Sequence, residues 1–214
     1  HTKNDLVSSV AHDLRTPLTS IIGYLGWVRT RTDLDEEMRN HYIDIAYQKA
    51  LRLEQLTNEL FGFVKLEHKE MQLHLGKLDL VQLMEQMLDE MTPSFVKNEL
   101  QVEFLHAEHA IFLEADGELL ARLFGNLLNN AVKYGKEGKQ IRVSMEKEGE
   151  YVVTRVINYG RIIPKQELDH IFQKFYRTEQ SRSRDTGGTG LGLAIVQQIA
   201  ELHHGQVRVK SDLQ

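Results

Sequence analysis

No cysteine occurs among the 214 residues. That excludes disulfides, zinc–thiolate sites and cysteine nucleophiles, and it suits a reducing compartment. Proline is scarce too, with three in all, so helices can run long and a proline inside one calls for a reason. No apolar run approaches the roughly 18 residues that a membrane-spanning helix needs, and no secretory signal pattern is visible. Neither sign of charge dominates: 26 Lys+Arg against 31 Asp+Glu leave a net charge of −5. That balance gives no pull toward nucleic acid or an anionic membrane surface. What is present, 41% hydrophobic and 27% charged residues, is the composition of a folded globular chain.

The first third reads as helix. Apolar residues recur from Leu6 at Val10, Leu14, Leu18, Ile21, Leu25 and Val28, in steps of three and four. The polar stretch "TRTDLDEE" at 30–37 breaks the pattern, and Asp35 is placed to cap a second helix with Glu36 and Glu37 in its first turn. That helix carries its own stripe through Tyr42, Ala46, Ala50, Leu53, Leu56, Leu60 and Phe63. A hairpin of two such helices buries its stripes poorly alone, so the expectation is a homodimer closed as a four-helix bundle. Beyond residue 76 the pattern mixes strands (101–106, 110–115, 140–147, 151–158, 206–210) with helices (80–97, 116–135, 165–175, 189–203). The fold class is therefore α+β: a helical hairpin over 1–70, then an α/β sandwich over 77–214 with a mixed sheet and helices on one face.

Within the first helix stands "SSVAHDLRTPLTSIIGY", residues 8–24. On a helical wheel His12 falls opposite the Leu14–Leu18–Ile21–Leu25 stripe, facing water, with Thr16 one turn below it. Asp13 can accept the proton on Nδ1 and leave Nε2 as a nucleophile. Pro17 has no N–H for the carbonyl of Asp13 and crowds it, so a bend is expected there. A plain surface histidine and a tolerated proline are the bland alternatives, and they leave the coincidence of the two unexplained. Trp27 falls on the same wheel face about 22 Å further along. It is either a partner hot spot or a cover for the hairpin loop.

A second group of motifs lies downstream. In "NLLNNAVKYG" (126–135), Asn126 and Asn130 share a helix face, and their amide oxygens suit a hard cation such as Mg²⁺. Lys133 could meet phosphate, and Tyr134 offers a flat face to a base. In "DTGGTGLGLAI" (185–195) the glycines 188, 190 and 192 stand where a loop enters a helix, a setting for phosphate on backbone N–H groups. There is no Walker pattern. The histidines at 106, 109, 203 and 204 lack a third ligand at metal spacing, and His204-Gly205 reads as the glycine end of a helix.

"AHDLRTPLTSIIGY" resembles the phosphoacceptor box of bacterial sensor histidine kinases. "NLLNNAVKYG", "IFQKFYR" (171–177) and "GGTGLGLAI" resemble, in the same order, the asparagine, phenylalanine and glycine boxes of their Bergerat-type ATP-binding domain. That domain is shared with Hsp90-like chaperones, gyrase B and MutL. The resemblance spans nearly the whole chain and leans toward the vancomycin-resistance type. It implies ATP and Mg²⁺ as cofactors, His12 as the autophosphorylated residue, Asp13 as its acid/base partner, and Thr16 as the positioner of water in a phosphatase reaction. It assigns Asn130 and Asn126 to Mg²⁺, and Lys133 and Arg177 to phosphate. Tyr134 goes to the adenine, and Gly188, Gly190, Leu191 and Gly192 to the loop, with 176–187 as an ATP lid. It also implies a response-regulator receiver domain as partner, and the cytoplasmic portion of a membrane-bound sensor whose upstream region precedes His1.

One box departs from the family pattern. "INYGRIIP" (157–164) has Asn158 where the family has an adenine-reading aspartate; Gly160 is kept and Ile162 replaces the second glycine. Two other readings follow: a degenerate kinase acting mainly as a phosphatase, or an ATP-gated structural dimer.

Overall fold

The computed structural model describes residues 3–67, 72–178 and 189–212. Two long helices come first, α1 (Lys3–Thr30) and α2 (Glu36–Glu67). The second starts where the sequence places it: the Asp35 carboxylate accepts the N–H of Met38 at 2.7 Å. The hairpin's apolar surface is wider than a single stripe. Val10, Leu14, Ile21 and Val28 are half-buried, whereas Leu18, Ile22 and Leu25 are 45%, 64% and 46% exposed. On α2, Ile43, Tyr47 and Leu51 are similarly exposed while Ala46, Leu56 and Phe63 are buried. Leu18 and Leu25 thus leave the inward stripe that the periodicity suggested, because two helices in contact cover only one side of each other. The helix runs on through Pro17, which is itself buried. At the loop end, Trp27 meets Tyr24 and Tyr42 edge-on, with centroids 6.3 and 5.8 Å away.

The second unit opens with β1 (Gly76–Asp79) and α3 (Leu80–Lys97), then β2 (Gln101–His106), β3 (Phe112–Ala115), α4 (Gly117–Gly135), β4 (Gln140–Glu148) and β5 (Tyr151–Asn158). A one-turn α5 (Lys165–Leu168) and α6 (Gly192–Leu202) complete the described elements. β1 pairs antiparallel with β3, while β4 lies parallel to β2 and antiparallel to β5. Alternation along β4 sends Ile141, Val143 and Met145, all within 1% of full burial, into one core with Leu128 of α4 and Ile195 and Ile199 of α6. The other face is charged: Arg142 reaches Glu103 at 2.8 Å, and Arg155 reaches Glu148 at 2.9 Å. Helices therefore cover one sheet face, as alternation demands.

Three expectations need correction. The helix expected over 165–175 stops at Leu168. After it the backbone closes tight three-residue turns, His170 to Glu167, Gln173 to His170 and Tyr176 to Gln173, in place of a four-residue ladder. The segment 206–210 joins no sheet among the described residues; nearby, the Ser211 hydroxyl accepts the N–H of Ile163 at 2.9 Å. At the end of α6 the left-handed residue is His204 (φ 58°), with Gly205 following it and donating to Ala200 at 2.8 Å.

A buried carboxylate joins three segments of this unit. Asp116, 5% exposed, caps α4 by accepting the N–H of Leu119 at 3.1 Å and holds the N–H of His74 at 3.0 Å. Its own N–H goes to Nε2 of His203, whose Nδ1 donates to the Ile199 carbonyl. Replacing Asp116 by alanine removes a cap and strands buried N–H groups. The expected loss is about 2 kcal/mol of stability, read from the urea midpoint.

Candidate functional site

On α1, His12 has a side chain 78% exposed, and its Nδ1 stands 3.4 Å from Oδ1 of Asp13. The contact is loose, and it engages Nδ1, so Nε2 is the nitrogen turned away from Asp13. Thr16 is exposed on the same face and donates its hydroxyl to the His12 carbonyl at 3.1 Å. Asp13 sits at a boundary: with Val10 and Leu14 it faces Leu56 and Leu60 of α2 and Phe175, Thr189 and Leu191 of the second unit across a narrow seam.

The other residues gather on α4 and around its ends. Helical spacing puts Arg122, Asn126 and Lys133 on one stripe, with Asn130 beside it, while Leu120, Leu123, Phe124 and Leu128 bury the opposite side. Asn126 points its Oδ1 at the start of α6, where a Cβ on Gly192 would come within 3.4 Å of it. Neither Asn126 nor Asn130 spends its amide in a hydrogen bond among the described residues, so both oxygens are open to a hard cation.

Lys133 is the most perturbed group here. Burial pushes its ammonium down to about 8, the nearby Arg177 and Arg52 cations push the same way, and Glu59 opposes them. The ammonium lies 5.0 Å from the centre of the half-exposed Tyr134 ring. Asn158, at the exposed end of β5, stands against Gly135. Gly160 is required by packing: a Cβ there would lie 2.4 Å from the Tyr134 carbonyl. Ile162 is 42% exposed and packs in no core.

Gly190 needs its glycine twice over. Its φ is +71°, and a Cβ would come 2.7 Å from the Phe175 backbone, whose N–H donates to the Gly190 carbonyl at 3.0 Å. The two ends of the 176–189 stretch are thereby held together. Leu191 is fully buried, and its N–H goes to the Thr189 hydroxyl at 3.1 Å. Gly188 and most of the expected lid lie outside the described residues.

Sequence reasoning missed a set on α2. Glu59 accepts the hydroxyl proton of Thr189, and Arg122 lies so close to Gly62 that a Cβ there would meet its guanidinium at 2.0 Å. Burial lowers the Arg122 pKa and Glu59 partly restores it. The only signal available was a carboxylate adjoining the Leu56–Leu60 stripe, which any surface helix can show.

Comparison with known proteins places these two ends in one family. Residues 2–69 match the His Kinase A (phospho-acceptor) domain, and residues 115–214 match the histidine kinase-, DNA gyrase B-, and HSP90-like ATPase. The sensor protein VanS of Enterococcus faecium is 39% identical over 210 residues, covering 98% of this chain and 54% of the relative. The chain belongs to the sensor histidine kinases. VanSC of Enterococcus gallinarum is 36% identical over 98% of this chain and 57% of its own. The chain thus spans about half the length of these curated relatives. Histidine kinase ThkA, solved in complex with the response regulator TrrA, superposes with a TM-score of 0.75 at 26% identity, covering 94% of this chain and 55% of that one. Acinetobacter baumannii AdeS shares the fold, with a TM-score of 0.70 at 21% identity over 89% and 86% of the two chains. In this histidine kinase, then, the helical hairpin next to His12 and the entrance to α6 meet along one seam.

Proposed function

We propose that this chain transfers the γ-phosphoryl group of ATP to His12 and passes it to an aspartate of a response-regulator receiver domain. The observation that carries the reading is that Asp13, beside the exposed His12, lines the same narrow seam as Thr189 and Leu191 at the entrance to α6, while Asn126 of α4 faces Gly192 at that same entrance. Nε2 of His12 attacks the γ-phosphorus and the bond to ADP breaks. Asp13 keeps the Nδ1 proton in place and steadies the charge that forms on the ring. Lys133 and Arg177 neutralise the phosphate oxygens, backbone N–H groups at the start of α6 add to them, and Tyr134 flanks the adenine. Asn130 and Asn126 would hold Mg²⁺, which when bound screens the phosphate charge. Thr16 would orient water for dephosphorylation of the partner. ThkA's complex with a response regulator supports the partner class.

The functional division is a phosphotransfer hairpin over 1–70 and a catalytic domain over 77–214. The exposed Leu18–Ile22–Leu25 and Ile43–Tyr47–Leu51 faces support a homodimer closed as a four-helix bundle. No described helix is long and apolar enough to cross a membrane. Membrane attachment would belong to the half of the relatives' length that this chain does not span. The match to a phospho-acceptor domain leaves a purely structural ATP-gated dimer without support.

Three outcomes are expected. Incubation with γ-labelled Mg-ATP gives acid-labile label in the wild type and none in His12→Gln; an unlabelled wild type overturns the reading. Lys133 is charged below pH 8 whether or not nucleotide is bound, so ATP affinity is flat there. Above pH 8 the free site loses its proton and binding must take one up, so affinity falls by up to about tenfold per pH unit. Calorimetry on Lys133→Met should show no such slope. Third, Asn158→Asp restores a charged acceptor for the adenine amino group and should tighten ATP binding by about fivefold in the same measurement.

A further inference from the structure

Glu59 lies on α2, outside every residue set that the family resemblance assigns, yet its carboxylate reaches Thr189, next to Gly190 at the entrance to α6. Both of its oxygens are engaged. Arg52 donates to Gln55 Oε1 at 2.8 Å, Gln55 donates to Glu59 Oε1 at 3.2 Å, and Thr189 donates its hydroxyl to Glu59 Oε2. The Thr189 oxygen in turn accepts the N–H of Leu191, the residue that opens α6. A continuous hydrogen-bonded chain thus runs from the helical hairpin to the glycine loop. Steps of three and four put Arg52, Gln55, Glu59 and Gly62 on one face of α2, and Gly62 lets Arg122 of α4 lie against that face. Lys133 feels the Glu59 charge as well.

This places a carboxylate among groups of the kind a triphosphate requires: the lysine and arginine cations and the amino end of α6. Two anions in one partly buried pocket repel, so nucleotide and carboxylate compete. We propose that Glu59 is a positioning residue for phosphoryl transfer: its carboxylate holds the glycine loop on α2 while no nucleotide is bound, and the triphosphate displaces it, loosening the ATP-binding domain so that the γ-phosphate can reach His12. The inference rests on the proposed kinase reading. Competition of this kind is reciprocal: the factor by which docking weakens ATP binding is the factor by which ATP weakens docking. Arg52 and Gln55 support the carboxylate from behind and fix its direction. The apolar contacts of Phe63 and Leu66 with the second unit keep the two parts associated, so the carboxylate tunes the contact instead of creating it.

Glu59→Gln separates charge from shape, because the amide oxygen still accepts the Thr189 hydroxyl. Titrating a fluorescent ATP analogue with Mg²⁺ into the full chain should give a Kd about tenfold lower for Glu59→Gln than for the wild type, with the KM for ATP falling in parallel and kcat at saturation little changed. Hydrogen exchange on the wild type supplies a test independent of any variant: Mg-AMPPNP should raise exchange across residues 52–63. Equal Kd values, or unchanged or slower exchange over 52–63, would overturn the proposal while leaving the kinase reading intact. If neither protein binds the analogue, the nucleotide reading of the pocket falls and this inference falls with it.

Discussion

Helix α4 has to serve two environments along its whole length, and most of the structure follows from that constraint. One side, Leu119, Leu120, Leu123, Phe124, Leu128, Ala131 and Val132, is buried against the sheet and α6. The other side carries Arg122, Asn126, Asn130 and Lys133, which must stay polar and reachable. Asp116 fixes the start of α4 by capping it and by tying it to His203 at the far end of α6. With α4 and α6 locked at one end, Asn126 comes to face Gly192 at the other. The site is therefore built on two packed helices, so the asparagines and the loop entrance keep their spacing without relying on loop geometry.

The second determinant is the seam between the hairpin and the second unit. Phe63 and Leu66 of α2 belong to the same buried cluster as Met84, Leu128 and Ile195. Apolar burial of this kind is strong but carries no direction. The polar contacts along the seam supply the direction: Glu59 to Thr189, with Arg122 against Gly62, fixes which turn of α2 meets the glycine loop. It follows that Asp13, one residue from His12, lies on the same seam as Leu191. Asp13 and the entrance to α6 are thus neighbours through packing, although 170 residues and more separate them in the chain.

What the sequence made legible was local. The exposure of His12 and Thr16 follows from 100° per residue, the Asp35 cap from helix-end chemistry, and the shared face of Asn126 and Asn130 from a spacing of four. What it hid was tertiary. Glu59 and Thr189 are 130 residues apart, and no pattern links them. The helix expected after Pro164 fails because Phe175 is drawn back to Gly190, a demand from fifteen residues further along the chain. Periodicity marked Leu18 and Leu25 as apolar stripe residues, and their exposure in the single hairpin is what a hairpin that buries its stripes poorly alone should show.

These features bear together on how nucleotide affinity is distributed. In the proposed site the adenine end is read by a neutral Asn158 beside an exposed Ile162, so it contributes less than a charged acceptor would. The larger share of binding must then come from the triphosphate, through Lys133, Arg177 and the start of α6. Burial and like charges lower the Lys133 ammonium to about 8, so above that pH part of its attraction for phosphate goes into restoring its own proton. A site that depends on its phosphate end responds strongly to any further charge nearby. Glu59 is such a charge, and it sits on the helix that follows the acceptor helix. Coupling between nucleotide binding and interdomain contact is then a consequence of where the binding energy resides, since an anion on α2 can oppose the phosphates and would have little hold on the base.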